Sequence, residues 1–177
     1  MIKAIEIHRD LLEKWRKAMD LVGPGPIDGH FKDALMAVKN LKPTGHWADL
    51  GSGAGFPGIA LAAYWPNIQV TLIESRHKRS VFLRQVADKA ALKNVNIIQG
   101  RTEDIPGPYD GVISRAYKPP LEYLKDARRL LVPNGHAVLM LGSEASPTLP
   151  KEWTPIQKKH YGKGEWQRQI WTLRYDA

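Results

Sequence analysis

The sequence predicts an α/β fold: a seven-stranded, mostly parallel sheet with helices on both faces and an N-terminal helical extension. Three observations carry this. From Trp47 onward, short apolar runs alternate regularly with amphipathic stretches, the pattern of a parallel sheet covered on both sides. The run His46–Gly58 (HWADLGSGAGFPG) passes from an apolar segment through a glycine loop into a helical pattern, the first unit of a cofactor-binding α/β domain. Two extended stretches near the end, Thr154–Tyr161 and Gln169–Tyr175, join around Gly162–Gly164 and add an antiparallel pair to five parallel strands.

Taken in order, a first helix is expected from Ile2 to about Val22, because Leu11, Leu12, Trp15, Met19 and Val22 recur at three- and four-residue spacing. Gly23–Pro26 (GPGP) stops it. A second helix, Asp28–Leu41, turns Phe31, Leu35 and Val38 inward before Lys42–Gly45 breaks the chain. Strand His46–Leu50 and a helix from about Pro57 to Tyr64 follow. Next come strand Gln69–Ile73, ending at Glu74, and a long helix Arg76–Ala91 burying Val81, Phe82, Val86 and Ala90. Val95–Gln99 and Gly111–Ser114 are the third and fourth strands. A helix Leu121–Leu131, stopped by Pro133–Gly135, precedes the fifth strand, His136–Leu141. Residues 1–177 are expected to form one domain, with 1–45 as the helical extension and 46–177 as the α/β core. This is the seven-stranded arrangement of class I methyltransferases.

The glycine loop admits a ligand directly against the backbone. Its text also fits the dinucleotide pattern G-x-G-x-x-G, from Gly53 to Gly58. Two residues oppose a pyrophosphate there. Asp49 would repel phosphate, and Pro57 removes an N–H from the first helical turn, where an anion would be held. An acid at that position suits a cationic ligand, and S-adenosylmethionine carries both a sulfonium and an ammonium. Acids stand at three strand ends: Asp49, Glu74 and Glu103-Asp104. Glu74 follows the loop at roughly the 20-residue spacing of an acid that binds ribose hydroxyls.

Composition narrows the chemistry. With no cysteine, disulfides, thiolate metal sites and covalent attack through a Cys nucleophile are excluded. No His/Asp/Glu grouping has metal-ligand spacing, so no metal is expected. No run approaches the roughly 18 apolar residues of a membrane span, and the first ten residues lack the apolar region of a signal peptide. A cytoplasmic protein without a membrane partner is therefore expected. The net charge of +8 fits either a soluble basic protein or affinity for phosphate backbones.

Five texts in order, His30–Leu35 (HFKDAL), Asp49–Ile59 (DLGSGAGFPGI), Glu74–Leu83 (ESRHKRSVFL), Gly100–Glu103 (GRTE) and Ser114–Ala116 (SRA), make the chain resemble the RsmG/GidB family. These are bacterial methyltransferases acting on guanine N7 of small-subunit (16S) ribosomal RNA. The resemblance runs from about His30 to Leu141 and implies S-adenosylmethionine as cofactor and ribosomal RNA or the small ribosomal subunit as partner. It assigns cofactor contacts to Gly51, Phe56, Thr102, Glu103 and Arg115, beside Asp49, Gly53 and Glu74 from the reading above. Thr102 and Glu103 would meet the adenine, and Arg115 would hold the methionine carboxylate through a forked pair.

For the substrate, the candidates are His30, Lys78, Arg79 and Tyr117, the last as a surface for stacking on a base. No general base is expected, because guanine N7 already presents a lone pair. The chain departs from the family at Asp20–Pro26, where an Asn-Leu-Thr text is usual, and at Leu139–Gly142 (LMLG), where a lysine usually precedes the glycine. The region after Gly142 also matches poorly. Another RNA, a small-molecule acceptor, or cofactor-dependent RNA binding without catalysis are the alternatives these departures leave.

Overall fold

A computed structural model of the chain describes residues 2–23, 26–164 and 167–177. The described residues form one seven-stranded sheet in the order β3-β2-β1-β4-β5-β7-β6. The strands are β1 (His46–Leu50), β2 (Gln69–Glu74), β3 (Val95–Gln99), β4 (Tyr109–Ser114), β5 (Leu131–Gly142), β6 (Trp153–Tyr161) and β7 (Arg168–Tyr175). The first five pair in parallel, and β7 lies antiparallel between β5 and β6. Strand order reverses between β1 and β4, so a cleft opens at their carboxyl ends, the switch point of an open α/β sheet.

Helices α1 (Lys3–Trp15), α2 (Asp28–Val38), α3 (Gly58–Tyr64) and α4 (His77–Lys89) share one apolar layer, whereas α5 (Pro120–Leu130) covers the other face with Trp153 and Trp171. Alternation along β1 sorts its side chains between the layers. Trp47 faces the four-helix side, while Ala48 and Leu50 face α5. Asp49, in register with Trp47, therefore points under α3, where it is fully buried.

Strands β1 and β3 match the sequence expectation residue for residue, but the helices are shorter than their apolar periodicity suggests. α1 ends at Trp15 instead of Val22. Residues 16–20 continue as turns, Asp20 adopts a left-handed φ of 50°, and the Leu21 N–H reaches back to Arg16 O, the 6→1 bond that ends this stretch. Pro24 and Gly25 of the expected stop lie outside the described residues. α2 ends at Val38 rather than Leu41. In α4 the inward face is Phe82, Leu83 and Val86, while Val81 and Ala90 are only partly buried. α5 stops at Leu130, before Pro133–Gly135, and β5 starts at once with Leu131. Pro133 favours an extended residue before it. The strand then absorbs Asn134, at φ 63°, as an irregularity that shifts the β4 register between Tyr109 and Gly111.

One buried amide fixes the far end of α3. Asn94 donates to the carbonyls of Ala62, Trp65 and Ile68 at 3.1, 3.4 and 3.0 Å. Asn94→Ala leaves these carbonyls short of partners. It is expected to cost about 2 kcal/mol, lowering Tm by roughly 4–8 °C in a melt followed by circular dichroism.

Candidate functional site

The glycine loop is held open by its own backbone. Gly51, Gly53 and Gly55 have φ of 69°, 55° and 93°, the left-handed region that side chains disfavour. Ser52 N–H donates to Ile73 O at 3.0 Å, and Ser52 Oγ donates to Asp49 O at 3.0 Å. From above, α1 clamps the loop through His8, whose Nε2 lies 2.7 Å from Ala54 O. A carbonyl only accepts, so Nε2 carries the proton. Burial brings the His8 pKa down to about 4, which keeps the ring neutral.

Asp49 sits beneath this loop. Its Oδ2 accepts the Gly58 N–H at 2.9 Å, capping α3, whereas Oδ1 is buried with no hydrogen-bond partner among the described residues. Burial outweighs the Gly58 hydrogen bond and pushes its pKa up to about 7. Part of this acid thus serves the fold, which the sequence did not disclose. Glu74 does likewise. Its Oε2 accepts from Gly53 N–H at 2.8 Å and its Oε1 from Arg76 N–H at 2.7 Å, tying the end of β2 to the loop.

A cavity of about 310 Å³ opens beyond these acids. Its walls are Gly51, Ile73, Ser75, Gly100, Arg101, Thr102, Glu103, Tyr117 and Lys118. Gly51, Thr102 and Glu103 are thereby brought together, with Glu74 and Gly53 at the adjoining loop. Tyr117 stands on the same wall. Its ring lies over Gly51, where an added Cβ would be 2.5 Å from Cδ2, and it lines this cavity. Its hydroxyl donates to Asp126 at 3.0 Å. Lys118 bridges Glu103 and Asp126 at 2.7 and 2.8 Å, linking the two lips of the cavity. The Lys118 ammonium holds the Glu103 carboxyl below its ordinary range, and the two carboxylates push Lys118 up.

Arg115 also differs from expectation. Its Nη1 donates to Asp33 Oδ2 at 3.3 Å and to His30 O at 3.5 Å, with the guanidinium carbon 4.7 Å above the Phe56 ring. It makes no fork toward the first cavity. Phe56 is a packing residue, edge-on to Phe31 at 4.8 Å and tilted against His8 at 5.0 Å. His30, its pKa lowered by burial and by Arg115, borders a second cavity of about 490 Å³ together with Arg115, Asp33, Met140, Tyr161 and Arg168. Arg115, Ala116 and Tyr117 form the ridge between the two spaces.

The basic candidates divide. Arg79 turns inward, donating to Asp20 O at 2.7 Å with Nη1 beside Gly53, so it supports the loop. Lys78 is exposed on the first turn of α4. Sequence reasoning missed Asp33, Lys118, Asp126, Tyr161 and His8. Asp33 was within reach, since it lies one turn from His30 on the same helix face. Tyr161 carried no local signal.

Comparison with known proteins bears on this geometry. A family model, GidB, described as rRNA small subunit methyltransferase G, matches residues 1–163. A ribosomal RNA small subunit methyltransferase G from Nitratidesulfovibrio vulgaris (strain DP4) is 34% identical over 186 residues, covering 98% of this chain and 85% of that protein. One from Halorhodospira halophila is 36% identical over 153 residues, covering 84% and 73%. Among solved structures, an S-adenosylmethionine-dependent methyltransferase from Aquifex aeolicus superposes with TM-score 0.64 at 16% identity, over 90% of this chain and 97% of that one. A variant of MtNAS in complex with S-adenosylmethionine gives 0.68 at 15%, over 100% and 73%. At these identities the structural likeness shows the fold, and the sequence relatives carry the family.

Proposed function

Because the chain belongs to the GidB family, rRNA small subunit methyltransferase G, we propose that it transfers the methyl group of S-adenosylmethionine to N7 of a guanine in 16S ribosomal RNA. The observation that carries the cofactor reading is Asp49 Oδ1, a buried acceptor without a hydrogen-bond partner among the described residues, at the exit of β1. An ammonium group supplies the hydrogen bond and the charge that this oxygen lacks. The remaining residues fit the same ligand. Glu74, each of whose oxygens keeps a lone pair, receives ribose hydroxyls, and the pocket between Ile73, Thr102 and Tyr117 takes the adenine. Gly51 and Gly53 let the methionine part approach the backbone, and Glu103 closes the rim through Lys118.

The bound cofactor supplies an electrophilic methyl on a sulfonium. Guanine N7 already presents a lone pair to such a methyl, so no residue of the chain would have to act as a base. No proton moves, so the chain's task is alignment. The acceptor enters from the second cavity, across the Arg115–Tyr117 ridge, with His30 on its wall, and the exposed Lys78 of α4 is a candidate for phosphate contact. The same reading takes residues 1–177 as one domain working in the cytoplasm, with α1 and α2 packed on α3 and α4 as part of the site. Among the described residues no helix is long and apolar enough to cross a membrane.

Small subunits lacking the modification are expected to accept label from methyl-labelled S-adenosylmethionine, and reduction followed by aniline should then cut the RNA at one guanine. Transfer to an aniline-resistant product would remove the N7 assignment, and absence of transfer to RNA would remove the reading as a whole.

A further inference from the structure

We propose that Asp33 reads the target guanine, its carboxylate accepting the N1–H and N2 amino hydrogens of the base in the cavity beside Arg115. This rests on the N7 reading above. For N7 to face the methyl donor, the base must present its imidazole edge to the Arg115–Tyr117 ridge. The Watson–Crick edge then points away from the ridge, offering two adjacent donors. A carboxylate is the side chain that accepts both at once.

Asp33 is the one carboxylate among the described residues lining that cavity. It is also held ready. Tyr161 Oη donates to Oδ1 at 2.7 Å and Arg115 Nη1 to Oδ2 at 3.3 Å, from β6 and from the loop after β4. Each oxygen thus spends one lone pair on the protein and keeps another for a ligand. The side chain is 18% exposed, so it is reachable yet poorly solvated. The volume of about 490 Å³ lies within the range of ligand pockets and admits a purine.

The same carboxylate also suits the reaction. Alkylation at N7 leaves the purine cationic and its N1–H more acidic, so a nearby negative charge gains more from the transition state than from the substrate. In the free protein Arg115 offsets that charge, which makes the poorly solvated acid tolerable before the base arrives. Discrimination follows from the same geometry. Adenine would bring its N1 lone pair against the carboxylate, and hypoxanthine would lack the N2 donors. Burial and the Asp33 charge push the Tyr161 phenol up, so it remains a donor across the working pH range.

The test uses the full chain, S-adenosylmethionine and unmodified small subunits. Asp33→Asn is expected to leave calorimetric affinity for S-adenosylmethionine within about twofold of wild type and to lower kcat/KM for methyl transfer about 10- to 100-fold. GMP and IMP serve as competing probes. The wild type should be inhibited at several-fold lower GMP than IMP, and Asp33→Asn should lose that ratio. Tyr161→Phe, which keeps the ring and removes one donor, should narrow the ratio and lower transfer several-fold, and it decides the matter if Asp33→Asn does not fold. A wild-type GMP/IMP ratio retained in a folded variant would overturn the proposal, as would a wild type that does not distinguish the two. Failure of the wild type to methylate RNA would instead overturn the N7 reading on which this rests.

Discussion

Exchanging Asp49 for asparagine is expected to weaken S-adenosylmethionine binding about 30- to 100-fold at pH 8, the size of a lost hydrogen bond to a charged partner. The change should also abolish the pH dependence of binding. In the free protein burial raises this carboxyl from 3.8 to about 7, so below pH 7 it is mostly protonated. A cationic ligand binds the ionised form and must expel that proton. Wild-type affinity is therefore expected to fall about tenfold per pH unit below 7 and to level off above it. Calorimetry between pH 5 and 8 checks both parts, and a wild-type profile that stays flat would remove Asp49 from the ammonium site.

Folding stability should respond with the opposite sign. The raised carboxyl contributes stability that is complete below its unfolded value of 3.8 and lost as pH rises through 7. His8, lowered from 6.5 to about 4, contributes stability that is present above 6.5 and lost as pH falls through 4. The two slopes oppose one another in the wild type. Asp49→Asn leaves the His8 slope uncovered, so denaturant midpoints of the variant should drop between pH 6.5 and 4.5, where those of the wild type change little.

Gly58→Ala is expected to lower Tm by roughly 6–12 °C and to abolish cofactor binding. A Cβ at this position meets Leu72 Cδ2 and comes within 2.5 Å of Asp49 Oδ2 and 2.9 Å of Asp49 Cβ. Relief requires α3 to move off β1, which also breaks the Gly58–Asp49 hydrogen bond. Overpacking and the lost bond together amount to about 3 kcal/mol, each kcal/mol being worth about 2–4 °C in a chain of this size. Gly53→Ala is the contrasting variant. Its nearest atom is Arg79 Nη1 at 3.8 Å, so only the left-handed φ of 55° is penalised, at about 1–2 kcal/mol. Thermal melts with calorimetry on both variants separate crowding under α3 from loop strain.

The site was legible in the sequence only where its chemistry is local. The acid at the exit of β1, the glycines after it and the acid ending β2 all stand within about two dozen residues, and the structure places them together. Arg115 and Tyr117 could be placed at the end of β4 but not aimed. Arg115 turns toward α2 because Asp33 and the Phe56 face meet it there, and Tyr117 turns toward Gly51 because Asp126 of α5 takes its hydroxyl. Helix ends were misjudged for a related reason. Apolar periodicity persists through Val22, yet the backbone leaves the helix after Trp15 and runs through turns to a left-handed Asp20.

By itself the sequence determined the α/β class, the parallel run of strands, the cationic character of the ligand at the glycine loop and the family. Those follow from period, glycine chemistry and charge, which act over short stretches of chain. Tertiary structure alone decided which oxygen of Asp49 is left without a partner among the described residues and which cavity each side chain of the Arg115–Tyr117 ridge faces. It also decided that Tyr161, 128 residues away in the chain, would hold Asp33. The physical reason is the pairing of β7 between β5 and β6, which carries Tyr161 and Arg168 to the carboxyl edge of the sheet beside Gly142. No periodicity within either segment encodes that long-range contact.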